Sequence, residues 1–197
     1  AILPSDRLSA APEFAGVHGV ARIGYLSHEG ASHLATLEQR SPLRVLFPRP
    51  MAGDPPTAAL VTISGGLVGG DRLDIDVSAG ENASVLAIGQ AAEKVYRSLG
   101  SDCHVDVSLG VSDSGWLEWL PQETILFEGA RLRRNTSLDI ASGGSALAGE
   151  MLVFGRVARG EQMTHGLVRD AWQVRIDGRL TWADALHIEG EDITRCL

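Results

Sequence analysis

The stretch Arg72-Leu73-Asp74-Ile75-Asp76-Val77 decides the fold. On an extended chain Leu73, Ile75 and Val77 share one side while Asp74 and Asp76 share the other, the alternation of a half-buried strand. The pattern recurs outward from it. Val105, Val107, Leu109 and Val111 repeat it, as do Leu138 and Ile140 against Ser137 and Asp139, and Val174 and Ile176 against Arg175 and Asp177. Less regular strand candidates are 20–26, 33–39, 43–47, 58–63, 84–88, 116–120, 124–127 and 147–157. Between them stand turn signals: Gly65-Gly66, Gly69-Gly70, Ala79-Gly80, Ser114-Gly115, Glu128-Gly129, Ser142-Gly143-Gly144 and Asp177-Gly178. Many short strands at this spacing predict an all-β chain, either a sandwich or a β-solenoid. Gln90–Leu99 is the one stretch before the C-terminus that reads as a helix, and residues 1–16 show no clear pattern. No linker or fixed-period repeat divides the sequence, so it reads as a single domain over 1–197.

Composition sets limits on function. The chain has 197 residues, 44% hydrophobic and 21% charged, which excludes general disorder. Its formal charge is −8 and its densest cationic spot is only Arg131, Arg133 and Arg134, so nucleic acid is not an expected partner. The longest run without a charged residue, between Asp54 and Asp71, contains Pro55, Pro56, Ser64 and four glycines, which does not suit a membrane span. Cys103 and Cys196 cannot build a disulfide framework or a zinc ribbon, and the expected compartment is the reducing cytoplasm.

Four segments concentrate chemistry. In Gly65-Gly66-Leu67-Val68-Gly69-Gly70-Asp71 two glycine pairs permit positive φ twice, and Asp71 stands at the entry to the next strand. A phosphate loop would end in Gly-Lys-Ser/Thr and open a helix, so a tight double turn capped by Asp71 is the plainer reading, with an anion-binding turn as the alternative. Ala92-Glu93-Lys94-Val95-Tyr96-Arg97-Ser98 gathers an acid, two cations and a phenol; Lys94 is the sole lysine. Leu117-Glu118-Trp119-Leu120-Pro121-Gln122-Glu123 places two carboxylates around a tryptophan. Glu150 lies in an apolar run, and is either outward on a strand or buried at a functional site. Glu123 or Glu150 as an acid/base would make this a β-sandwich hydrolase, yet no Gly-x-Ser-x-Gly elbow and no His-x-His or His-Glu-x-x-His motif accompanies them. Cys103 and His104 are strand neighbours, so they face opposite sides.

The first three of these segments, with Phe154-Gly155-Arg156, resemble in order and spacing the urease accessory protein UreD family, called UreH in some organisms; the resemblance runs from about His18 to Leu186. It implies an all-β, helix-like stack of strands in two layers and a nonenzymatic role as a scaffold. Such a scaffold binds apo-urease subunits and recruits UreF, which holds the nickel-carrying GTPase UreG. The resemblance also implies that nickel passes in transit through a polar internal tunnel, with no cofactor tightly bound. Carried over residue by residue, the tunnel acids are Asp71, Glu93, Glu150 and Asp184, with Lys94, Tyr96 and Arg97 shaping the same wall or pairing with them. Gly65, Gly66, Gly69, Gly70 and Glu123 are further motif positions. Ile88-Gly89 stands where the family often has Thr-Thr, and Gly149 where Trp is usual. Family members continue beyond the position of Leu197, so the chain is expected to hold most of the domain rather than all of it.

Overall fold

The computed structural model describes residues 16–196. Fifteen strands run in the order β1 (His18–His28), β2 (Ala31–Arg40), β3 (Leu43–Leu46), β4 (Thr57–Thr62), β5 (Arg72–Ala79), β6 (Ser84–Gly89), β7 (Glu93–Val95), β8 (Cys103–Val111), β9 (Trp116–Leu120), β10 (Thr124–Leu126), β11 (Arg131–Ile140), β12 (Ser145–Ala148), β13 (Leu152–Phe154), β14 (Leu167–Ile176) and β15 (Arg179–Glu189), followed by a short helix α1 (Asp192–Cys196). They form a seven-stranded sheet β15-β14-β11-β8-β5-β1-β2, a five-stranded sheet β12-β9-β6-β4-β3 and a three-stranded sheet β13-β10-β7.

The chain visits the three sheets in turn. β5, β6 and β7 make one coil, β8, β9 and β10 the next, and β11, β12 and β13 a third, each strand pairing in parallel with its counterpart one coil on. A coil of about 30 residues is within the usual range of solenoid repeats. The repeat is structural, where the sequence shows no fixed period, because stacking asks only that inward positions be apolar or small.

Strand alternation sets the core. Leu73, Ile75 and Val77 of β5 and Val105, Val107 and Leu109 of β8 are buried against Val85, Ala87, Leu117 and Trp119 of the opposing sheet. The register stacks these side chains into ladders along the solenoid. One is Leu73, Val105, Arg134, Asp170; its neighbour is Ile75, Val107, Thr136, Trp172, Asp184. Both turn from apolar to polar at β11.

Two expectations are corrected. Gln90–Leu99 is not a helix: Glu93–Val95 is strand β7, held by parallel pairing with Thr124–Leu126, a partner that local propensity does not reveal. The single candidate over 147–157 is two strands, β12 and β13, separated at Gly149 and Glu150 where the chain turns between sheets. β15 carries no alternation, because nearly all its residues are exposed and no buried face imposes it. Cys103 is buried and His104 half-buried on alternate sides of β8, as their adjacency requires.

Candidate functional site

A cavity of about 180 Å³ lies inside the solenoid between the sheets. Its wall is largely aliphatic, with Leu43, Leu60, Leu73 and Val105 among its members, but Glu93, Arg134 and Glu150 also line it. A second, more open groove of about 530 Å³ runs along β14 and β15, lined by Glu150, Asp170, Trp172 and Asp184. Glu150 belongs to both walls.

Each acid reaches its place through strand phase or a corner. Glu93 shares the inward row of the three-stranded sheet with Thr124. Thr62 donates its hydroxyl proton to Glu93 Oε2, and the Lys94 amide donates to Oε1 at 3.1 Å. Burial pushes the Glu93 carboxyl above its ordinary range, and these hydrogen bonds only partly oppose it. Glu150 follows Ala148 and Gly149 at the corner after β12; a Cβ added at Gly149 would meet nothing, leaving open space where the resembling family usually has a tryptophan. Trp119 Nε1 donates to Glu150 Oε1 at 2.9 Å.

Arg134 organises the rest. Its Nε and Nη2 donate to the two oxygens of Asp170 at 3.1 and 2.6 Å, and its Nη1 donates to Thr124 Oγ1 at 3.2 Å. Glu150 Oε2 lies 2.8 Å from Arg134 Nε, whose proton is directed at Asp170. Their attraction is therefore electrostatic. The side chains of Arg134, Glu150 and Asp170 are 5%, 3% and 11% exposed, so three charges sit together almost without water. Burial raises the Glu150 carboxyl, and Arg134 opposes the shift.

Of the other expected residues, Gly65, Gly66 and Lys94 line the cavity and Asp184 the groove, while the rest line neither. Asp71 is buried, but its Oδ1 accepts from the Val17 amide and its Oδ2 from the Val68 amide, each at 2.9 Å, and it lines neither void. That is the capped double turn. The turn amides of Leu67 and Gly70 are taken by the Lys94 and Asp102 carbonyls, which with Val68 leaves few donors for an anion. Gly66 has φ 141° and lies against Tyr96 and the Lys94 carbonyl; a Cβ at Gly69 would come within 2.4 Å of the Ser101 oxygen. Gly65 receives the Tyr96 hydroxyl at its carbonyl, and Gly70 has φ 94°. Tyr96 meets Phe127 edge to face at 4.7 Å, and Arg156 covers that ring at 4.3 Å, so three of the quoted motifs converge on one corner. Lys94 and Arg97 are exposed and form no salt bridge among the described residues. Asp184 is exposed on the groove, in register beside Trp172. Glu123 lines neither void, and its carbonyl accepts from the Glu93 amide at 2.9 Å.

Sequence reasoning missed Arg134, Thr136 and Asp170. The signal was present: extending the Leu138/Ile140 phase backward along β11 puts Arg134 and Thr136 on the inward side, while Arg131 and Arg133 face out to Asp102. No group of three or more His, Cys, Asp or Glu able to hold a metal comes together among the described residues. Burial pushes the Cys103 thiol up to about 12, so it stays protonated. Among the described residues no helix is long and apolar enough to cross a membrane.

Residues 17–196 match the family model described as UreD urease accessory protein. The chain belongs to the UreD family. It is similar to the urease accessory protein UreD of Magnetococcus marinus, 48% identical over 89% of this chain and 61% of the relative. Urease accessory protein UreD of Rhodopseudomonas palustris strain HaA2 is 41% identical over 90% of this chain and 64% of its own length. That of Mesorhizobium japonicum is 42% identical over 91% and 63%. The chain thus spans less than two thirds of these UreD relatives. Glu93, Glu150 and Arg134, and the motif corner at Tyr96 and Phe127, all lie within the part matched to UreD.

Proposed function

We propose that this chain acts in urease maturation as a nonenzymatic scaffold in the cytoplasm, binding apo-urease and recruiting UreF and, through it, UreG, so that nickel reaches the urease active site. Membership of the UreD family carries the maturation role. The path for the cargo is supported by one observation: Glu150 lines both the interior cavity and the outer groove, so acids mark a route from Asp184 through Glu150 to Glu93. Carboxylate and hydroxyl oxygens suit a hydrated divalent cation that must be held loosely enough to move on. Asp71, bound up in capping two amides, supports the fold of this path rather than lining it.

Co-expression with the cognate urease subunits and accessory proteins tests the scaffold: the chain co-purifies with them, and absence of a complex would end this reading. Ala92→Phe, which introduces bulk at the cavity wall, tests the path. Nickel content and activity of the urease fall while the complex still forms; normal nickel loading would refute transit through the cavity.

A further inference from the structure

We propose that the outer groove along β14 and β15 is a docking site for a protein partner that adds an extended segment to the free edge of β12, with apolar side chains and one lysine or arginine turned toward the groove floor. The inference goes beyond the maturation reading and does not depend on the passage of nickel.

The groove exists because the two layers end at different strands. Each of the three coils places one strand in the five-stranded sheet, and β12 is the last of them. β14 continues the seven-stranded sheet beside β11, but the chain then reverses at Asp177-Gly178 into β15 instead of crossing to the opposing sheet. Two strands of the larger sheet therefore have no strand facing them. β12, paired with β9 alone, keeps one edge of its backbone open. An edge of this kind offers amides and carbonyls to an incoming strand.

The floor states the chemistry of the occupant. Trp172 and Val174 of β14 are only partly buried, and Trp182 and Leu186 of β15 are 49% and 38% exposed. Large apolar side chains gathered in one groove mark an interaction surface, unlike the same residues scattered singly. Glu150, Asp170 and Asp184 line the groove as well, and no lysine, arginine or histidine does. Arg134 balances only one of the first two acids. Asp184 is exposed and, among the described residues, accepts only from the Ala185 amide, at 2.9 Å. Excess negative charge beside two indoles fits a cationic side chain, which can pair with Asp184 while its stem or guanidinium plane packs on Trp182. An acidic segment is repelled, and a wholly apolar one covers Asp184 without giving it a counter-charge. Along an added strand alternate side chains turn inward, so the two apolar residues and the cation stand at positions i, i+2 and i+4.

Titration of the purified chain with two synthetic peptides tests the groove without urease, so it is decided separately from the maturation reading. One is Ser-Leu-Ser-Leu-Ser-Arg-Ser, capped at both ends, which puts two leucines and an arginine on one side of a strand; the other has glutamate in place of arginine. The arginine peptide binds saturably, shifts tryptophan emission to the blue and slows amide exchange at Ser145–Ala148. The glutamate peptide binds at least about tenfold more weakly. Asp184→Asn brings the two peptides to within about twofold of each other, and Trp182→Ser weakens both; both residues are exposed, so neither change disturbs the core. No binding of either peptide, equal affinity for the two, a preference that survives Asp184→Asn, or binding that leaves exchange at Ser145–Ala148 unchanged overturns the proposal. Slow exchange there in a peptide-free chain that sediments as a dimer would assign the edge to a second copy and overturn it too. In co-expression, a chain carrying Asp184→Lys and Trp182→Ser loses one of its partners; if every partner co-purifies at the parental level, the groove is not the docking site although the maturation reading stands.

Discussion

On the outer face of the seven-stranded sheet, His18, Arg72, His104, Arg133, Arg169 and His187 stand side by side in one register row, and on the inner face the adjoining row runs Leu73, Val105, Arg134, Asp170. The outer row is stitched to acids in water: Arg72 bridges Asp74 and Asp106 at 2.8 Å each, His18 reaches Asp74 at 2.6 Å, and Arg131 and Arg133 share Asp102. The inner row uses the same residue types where water is excluded. An exposed pair is replaceable and screened by salt; a buried triad is expensive to assemble and more expensive to halve. An apolar ladder continuing Leu73 and Val105 would be expected to serve the fold as well as the buried triad does.

The largest effect expected from breaking this contrast is at Arg134. Arg134→Met leaves Glu150 and Asp170 buried without their cation and lowers the unfolding free energy by about 3–5 kcal/mol in urea titrations. Replacing all three together by Val, Leu and Val recovers most of that loss; a triple variant as unstable as the single one would show that the triad does support the fold. Next is Asp71→Ala, which strips the Val17 and Val68 amides of their acceptor and costs about 2–3 kcal/mol. Its nickel titration matches that of the parent chain, which separates the turn cap from the interior acids. Smallest is Arg72→Ala on the outer row, at less than about 1 kcal/mol and vanishing in high salt, by the same measurement.

The two faces also respond to pH with opposite sign. Asp102, hydrogen-bonded by Arg133 and Arg131, and Asp74, hydrogen-bonded by His18 and paired with Arg72, have carboxyls below the usual range although desolvation resists the shift. Their stabilisation is present above the unfolded aspartate value of about 3.9 and is lost as pH falls through their lower folded values. Glu93 and Glu150 lie above the usual range, so the folded chain takes up their protons first. Their contribution rises as pH falls from their raised folded values toward about 4.3, the unfolded glutamate value. Denaturation series across pH therefore show a gain on mild acidification followed by a loss in stronger acid, and Glu93→Gln with Glu150→Gln flattens the first limb alone.

Most of this fold was written in strand phase. Leu73, Ile75 and Val77 announce β5, and Val105 to Val111 announce β8, because one face of each must be buried. β7 was hidden because Glu93 and Lys94 carry no such constraint locally; their strand exists only through Thr124–Leu126, a whole coil away. The site divided along the same line. Glu93 and Glu150 were found through motif resemblance, whereas Asp170 and Thr136 gain their meaning from cross-strand partners that no single-strand pattern supplies. Asp71 was legible as a turn cap from the glycine pairs around it, and that chemistry is what the structure displays.

The stacking of one coil on the next has a consequence for how the molecule opens. Each strand of the seven-stranded sheet is hydrogen-bonded only to its immediate neighbours, and within residues 16–196 β2 and β15 have a neighbour on one side alone. Cooperativity in such an array is transmitted link by link, so the sheet frays inward from its rims rather than loosening everywhere at once. Amide hydrogen exchange should then grade from fast in β2 and β15 to slow in β5 and β8. Arg134 on β11 lies part-way along that gradient, close enough to the β15 rim for its surroundings to breathe while the middle of the stack stays shut.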